Sequence, residues 1–171
     1  MLTSLALLAL GQTSSFSGPQ IVITVQKRGT IVIATDAKTS PKTVAQITNL
    51  VKKKFYDNQT FHRVEPWVIQ WGDPASKTVD NPEVGSGGSG KNMPFEASKV
   101  SFDRGIVGIA STGMKTGGDS QIFILVKPAP HLNGNYAVLG KVISGMDVVD
   151  KIQRNDRIVS IRLKVPAKKK H

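Results

Sequence analysis

Runs of β-branched and aliphatic residues alternate with short polar turns along most of the chain. The first two runs, 21–25 and 30–35, are separated by Lys27-Arg28-Gly29, a pattern typical of a β-hairpin. Six further strands are predicted at 61–64, 67–71, 106–110, 122–126, 136–143 and 158–165. The pattern therefore predicts a mainly β protein.

Only two segments are predicted to be helical. Ser40 can cap a helix that begins at Pro41, and the apolar positions of residues 44–51 follow at helical spacing. A second, short helix is predicted over 145–152. Many short strands with two helices indicate a β-sandwich or a closed barrel.

The two ends of the chain differ in composition from its middle. Residues 1–11 are apolar, lack a basic start and resemble the hydrophobic part of a secretory signal, which is too short to span a bilayer. We expect a signal-like segment and linker over 1–18, one domain over 19–164 and a basic tail over 165–171. A periplasmic or secreted location follows, with a cytoplasmic one as the alternative, and no stable membrane insertion is expected.

The composition excludes several kinds of chemistry. The 171 residues include 23 Lys and Arg, 12 Asp and Glu and no cysteine, with a formal net charge of +11. Without cysteine there is no thiol nucleophile, disulfide or thiolate zinc site. The three histidines lack the paired spacing of a catalytic metal site, so we expect no metal and no cofactor. The basic residues are scattered and no aromatic stacking motif accompanies them, so no specific nucleic-acid partner is expected.

A glycine-rich segment, 85–92, matches GxGxxG and nearly matches a phosphate-binding loop. Both nucleotide motifs need a hydrophobic strand before them and a helix after them. Residues 80–83 are not a strand, and Pro94 disfavours a helix that begins nearby. We interpret the segment as a loop within the long interval 73–98, not as a nucleotide site.

Five motifs carry a more specific signal. They are FHRV at 61–64, VIQWGDP at 68–74, SQIFI at 120–124, LNGNYAVLGKV at 132–142 and ISGMDVVDKI at 143–152. In this order they resemble the cyclophilin family of peptidyl-prolyl cis-trans isomerases, and the resemblance covers residues 19–163. The glycine-rich loop is similar to that family's GTGGPGY segment.

The resemblance implies a closed eight-stranded antiparallel barrel capped by two α-helices. It also implies an isomerase that accelerates the exchange of Xaa-Pro peptide bonds and assists protein folding as a chaperone. Amide resonance sets the barrier to this exchange, ~18–20 kcal/mol, and crossing it requires no nucleophile, metal or cofactor. The implied partners are proline-containing peptides and unfolded or folding proteins, and the protein is expected to be a monomer.

The resemblance also assigns roles to individual positions. Arg63 aligns with the family's catalytic arginine, and Gln70 with the glutamine that orients it and binds the substrate backbone. His62 receives only a supporting role. The implied substrate-binding residues are Trp67, Val68, Ala110, Ser111, Gln121, Phe123, His131, Leu132 and Tyr136.

Three departures from the family pattern concern the predicted site. The chain is one residue short between Arg63 and Gln70, so Trp67 either replaces the pocket phenylalanine or is displaced. Trp71 replaces a common glycine, and its surroundings must accommodate a bulky ring. His131 stands where cyclosporin-sensitive members have tryptophan, so we expect weakened cyclosporin binding.

Two alternatives to an efficient isomerase remain open at this point. The shortened segment favours a module that binds proline-containing peptides as a chaperone but turns them over poorly. The lysine runs at 52–54 and 168–170 are the best support for a basic barrel that binds nucleic acid.

Overall fold

Eight strands and two α-helices form the computed structural model, which describes residues 16–164. The strands are β1 Gln20–Val25, β2 Gly29–Thr35, β3 Arg63–Glu65, β4 Val68–Trp71, β5 Ile106–Ser111, β6 Gly118–Leu125, β7 Val138–Ser144 and β8 Ile158–Lys164, and the helices are α1 Pro41–Lys52 and α2 Met146–Val149. Short 3-10 helices occupy Pro74–Lys77 and Pro130–Leu132. The signal-like segment and the basic tail predicted for the chain ends lie outside the described residues. Within 16–164, no helix is both long and apolar enough to cross a membrane.

All eight strands belong to one antiparallel sheet, in the order β3-β4-β6-β5-β7-β2-β1-β8. The predicted mainly β fold is confirmed, but the predicted closed barrel is wrong, because the sheet is a curled half-barrel. In the described part of the chain, the edge strands β3 and β8 share no ladder. The segments that lead into them, 58–61 and 155–158, are joined by an isolated bridge between Thr60 and Arg157 and by a few backbone hydrogen bonds.

At the open edge, a carboxylate pairs with part of β8 in place of a strand. The Asp57 carboxylate accepts hydrogen bonds from the Ile161 backbone N–H and from Arg162 Nη1, at 3.2 Å and 2.8 Å. At Ile161 a side chain therefore takes the place of a partner strand. β3 is only three residues long and could not cover the seven residues of β8.

Helix α1 begins and packs as its sequence pattern predicts, but a distant residue caps it. Ser40 occupies the N-cap position without a side-chain capping bond, so that part of the prediction is wrong. Glu96 accepts from the backbone N–H groups of Lys42 and Thr43 instead, at 3.0 Å and 2.8 Å. A carboxylate at this end satisfies orphan donors and complements the helix dipole. The cap ties α1 to the long loop between β4 and β5.

Strands β4, β5 and β6 are buried on both faces. One face, with Ile69 and Trp71 on β4, joins the main core under the two helices. The Trp71 ring is fully buried there and meets Phe61 edge-on, with ring centroids 5.4 Å apart. The other face contributes to a second, smaller cluster of buried residues, formed by Val68, Phe102, Ile106, Phe123, Leu125, Ala129, Leu132 and Val138. This second cluster supports the candidate site.

Candidate active site

A cavity of about 330 Å³ opens over the second cluster. Its lining residues are Arg63, Trp67, Val68, Gln70, Ala110, Ser111, Met114, Phe123, His131, Leu132 and Tyr136. The structure thus brings every residue predicted for the site to this cavity except Gln121, which hydrogen-bonds to Gln70. Met114 is the one lining residue that the sequence analysis did not identify. It lies at the exposed tip of the loop between β5 and β6, where no periodic pattern could have indicated it.

Strand register explains why the central side chains share one face. Arg63 on β3 pairs with Gln70 on β4, Gln70 pairs with Phe123 on β6, and Phe123 pairs with Gly108 on β5. Residues that face each other on neighbouring strands project to the same side of a sheet. Gly108 leaves room for the aromatic ring, because an added Cβ would lie 2.9 Å from Phe123 Cε1.

A relay of hydrogen bonds connects the candidate catalytic arginine to the glycine-rich loop. Arg63 Nη1 donates to Gln70 Oε1 at 3.2 Å, and Gln70 Nε2 donates to Gln121 Oε1 at 2.8 Å. Gln121 Nε2 donates in turn to the carbonyl oxygens of Gly85 and Gly87, at 2.9 Å and 2.8 Å. Gln121 therefore reaches the site through Gln70.

Two further side chains hold Arg63 from the other direction. Its Nε donates to Glu65 Oε1 at 2.7 Å, and Trp67 Nε1 donates to Glu65 Oε2 at 2.9 Å. The guanidinium carbon lies 5.3 Å from the centre of the Trp67 ring, within cation–π range. The hydrogen bond from Arg63 lowers the pKa of the Glu65 carboxyl group, so Glu65 is ionised at neutral pH. The sequence analysis missed Glu65, although its spacing of two from Arg63 on a strand places both on one face.

Aromatic rings form much of the cavity wall. Phe123 stacks on Phe102 with centroids 5.9 Å apart, and Tyr136 meets Phe123 edge-on at 6.3 Å. Trp67 meets His131 edge-on at 5.7 Å. Trp67 therefore lies at the cavity, against His131.

His62 lies beside the catalytic candidates but does not line the cavity. Its side chain is buried, and within residues 16–164 neither ring nitrogen has a hydrogen-bond partner. Burial lowers the pKa of the imidazole, which favours its neutral form. In the described part of the chain, no group of three or more His, Asp and Glu side chains could hold a metal ion.

The glycine-rich segment is a loop without a helix, as its sequence predicts. The Asp73 carboxylate accepts from the backbone N–H groups of Gly85 and Gly87, at 2.7 Å and 2.8 Å. The Asp119 carboxylate accepts from the N–H of Gly90 at 2.8 Å and from the Ser89 hydroxyl. Carboxylates of the protein thus already occupy amides that a phosphate would need. The interpretation of the segment as a loop is confirmed.

A second cavity, of about 510 Å³, lies between this loop and the end of β5. It shares Gln70, Ala110 and Ser111 with the first cavity, and Gln121 and Asp119 also line it. The two cavities are therefore adjacent, with these three shared residues in the lining of both.

Comparison with known proteins assigns this fold to a family. The family model described as cyclophilin type peptidyl-prolyl cis-trans isomerase/CLD matches residues 20–169. The chain is 40% identical over 164 residues to a Brucella abortus protein named "Probable peptidyl-prolyl cis-trans isomerase", covering 92% of this chain and 84% of that protein. It is 37% identical over 127 residues to peptidyl-prolyl cis-trans isomerase B of Bacillus subtilis, covering 72% of this chain and 83% of that protein.

A solved structure shows the same fold. The crystal structure of a Cryptosporidium parvum cyclophilin type peptidyl-prolyl cis-trans isomerase superposes with a TM-score of 0.74 at 25% sequence identity, covering 85% of this chain and 97% of that one. The chain belongs to the cyclophilin-type peptidyl-prolyl cis-trans isomerase family, which is a family of isomerases.

Proposed function

We propose that this protein accelerates the cis–trans isomerisation of Xaa-Pro bonds in peptides and in folding proteins. The proline ring enters the 330 Å³ cavity, and Arg63 stabilises the twisted amide. The observation that carries the proposal is the position of the Arg63 guanidinium at an apolar cavity, where Gln70 binds one of its nitrogens. Membership of the isomerase family supports the reaction class.

The cavity suits a proline ring in size and chemistry. Its volume lies at the lower end of the range of small-ligand pockets, about 300–1,000 Å³. Phe123, Leu132 and Val68 are buried apolar side chains along its wall. Each methylene of the proline ring that leaves water for such a surface contributes about 0.8 kcal/mol.

The reaction needs stabilisation of a twisted amide. When the C–N bond rotates it loses resonance, and the proline nitrogen gains a lone pair that can accept a hydrogen bond. A guanidinium beside this nitrogen binds the transition state more strongly than either planar ground state, which is the requirement for catalysis. A millionfold acceleration corresponds to about 8 kcal/mol, so binding and desolvation of the peptide must act together with Arg63.

The charge state of the site fits this chemistry. Arginine stays protonated at all physiological pH values, and its planar fork presents several donors in fixed directions. In residues 16–164, Nε and Nη1 of Arg63 have protein acceptors, whereas Nη2 has none. Both N–H groups of Nη2 are therefore available to a peptide.

The test is the relaxation of an Ala-Pro peptide from cis to trans, followed with and without the protein. We expect clear acceleration by the wild type and weaker peptide binding by Phe123→Ala, which removes part of the cavity wall. A wild-type protein that leaves the relaxation at its uncatalysed rate contradicts the proposal. Tight binding of the peptide without acceleration favours a peptide-binding chaperone module.

A further inference from the structure

We infer that Glu65 is a positioning residue for Arg63, because its carboxylate fixes the guanidinium through Nε and leaves Nη2 free for the substrate. The inference rests on the proposed function of Arg63. It concerns a contact between Arg63 and a residue two positions later on the same strand.

The Glu65 carboxylate is itself held at two points. Its two oxygens accept from two different donors, Arg63 Nε at 2.7 Å and Trp67 Nε1 at 2.9 Å. Charge-assisted bonds of this length are shorter and stronger than neutral ones. Because each oxygen has its own partner, rotation of the carboxylate would break one bond or the other.

The backbone places these three side chains together. Arg63 and Glu65 are the first and last residues of β3, two positions apart, so they project to the same face. Glu65 pairs with Val68 in the ladder to β4, and Trp67 lies in the intervening turn. The Trp67 ring can therefore donate to Glu65 and also lie within 5.3 Å of the guanidinium carbon.

Gln70 alone would not fix the orientation of the Arg63 guanidinium. It accepts a single hydrogen bond from Nη1, at 3.2 Å, and a planar group held at one atom can still rotate about that contact. An arginine side chain retains about 2 kcal/mol of rotamer entropy when it is free. The second contact, at Nε, defines the guanidinium plane, and a catalytic group that is fixed in advance needs no reorganisation during the reaction.

A similar ion pair elsewhere in the chain provides a matched control. Arg104 and Asp150 form two hydrogen bonds, at 2.8 Å and 2.7 Å, and neither residue lines either cavity. The side-chain exposures of the two pairs are close, 40% and 41% for Arg63–Glu65 against 44% and 42% for Arg104–Asp150. Since exposed ion pairs contribute little to stability, removing either carboxylate should leave the fold intact.

The experiment compares Glu65→Ala, Glu65→Gln and Asp150→Ala with the wild type on an Ala-Pro peptide. A misplaced catalytic group can cost about tenfold to a hundredfold, and we expect Glu65→Ala to lose kcat in this range with KM little changed. Glu65→Gln keeps an oxygen acceptor and should recover part of that loss. Asp150→Ala should match the wild type, and all variants should unfold at similar temperatures.

A spectroscopic readout distinguishes positioning from a general structural effect. In protein labelled with ¹⁵N-arginine, the Nε–H proton of Arg63 should exchange slowly with water in the wild type and rapidly in Glu65→Ala. An unchanged or raised kcat in Glu65→Ala, or a loss confined to KM, overturns the inference while the proposed function stands. An inactive wild type overturns the proposed function instead, before any variant is compared.

Discussion

The side-chain amide of Gln70 donates a hydrogen bond to Gln121 Oε1 over 2.8 Å, from one strand of the sheet to the next. Gln121 continues the contact to two carbonyl groups of the glycine-rich loop. The same Gln70 amide accepts from Arg63. The direction in which Gln70 presents its oxygen to the arginine is therefore set by the loop through Gln121.

Replacing Gln121 with leucine should reduce catalysis without removing a residue of the proline cavity. Gln121→Leu deletes the acceptor for Gln70 and leaves its amide free to rotate, so Arg63 loses a fixed partner. We expect kcat on an Ala-Pro peptide to fall by about tenfold. Gln26→Leu, at an exposed position in the turn between β1 and β2, is the control and should keep wild-type activity. Full activity in Gln121→Leu would show that the relay does not orient Arg63.

The sequence was sufficient for the strands and for the placement of most candidate site residues at one cavity, because both depend on local motifs. Each predicted strand overlaps an observed one, and the motifs around Arg63, Gln70 and Phe123 fall on three strands that are neighbours in the sheet. The period of two of a strand also places Arg63 and Glu65 on one face of β3. The error in β6, which begins at Gly118 and not near Ile122, arose because Gly118–Ser120 has no hydrophobic signal.

The remaining features depend on contacts between residues far apart in the chain. Nothing local shows that Glu96 caps α1 across 53 residues, or that Asp57 occupies the free edge of β8 across 104 residues. The second of these contacts lies at the edge where the sheet is open and a closed barrel was expected. Hydrophobic periodicity specifies which face of a strand is buried, but not which strand or side chain pairs with its edge.

Asp73 should be essential for the shape of the glycine-rich loop. It is fully buried and accepts from three backbone N–H groups, those of Ala75, Gly85 and Gly87, at 2.7–2.8 Å. Asp73→Asn places an NH₂ group against one of these donors and removes the charge. We expect a loss of about 1.5–3 kcal/mol in the free energy of unfolding, measured in urea at pH 7.

The control for this variant is Asp103→Asn, because Asp103 is exposed. It should change the free energy of unfolding by less than about 0.5 kcal/mol. Equal stabilities for Asp73→Asn and Asp103→Asn would mean that the buried carboxylate does not hold the loop.

His62 should make the fold sensitive to mildly acidic conditions. Its pKa in the folded protein lies below the ordinary value of 6.5, mainly because of burial. The unfolded chain therefore binds a proton first as the pH falls. The contribution of His62 to stability is complete above about pH 6.5 and is lost progressively as the pH falls towards the folded pKa.

The measurement is the free energy of unfolding of the wild type and of His62→Gln between about pH 7 and pH 5, above the range in which most carboxylates titrate. We expect the wild type to lose stability more steeply than His62→Gln over this interval. If the free energy of unfolding depends on pH in the same way for the wild type and His62→Gln, burial does not lower the pKa of His62 as described.

The most direct test of the central claim is the cis–trans exchange rate of an Ala-Pro peptide at equilibrium, measured by exchange NMR with Arg63→Ala, Arg63→Lys and Arg104→Ala. If Arg63 stabilises the twisted amide, Arg63→Ala should lower kcat/KM by about a hundredfold or more. Arg63→Lys, which keeps the charge but not the planar fork, should recover only a small part. Arg104→Ala should exchange the peptide as fast as the wild type. An Arg63→Ala protein that catalyses exchange at the wild-type rate would contradict the claim.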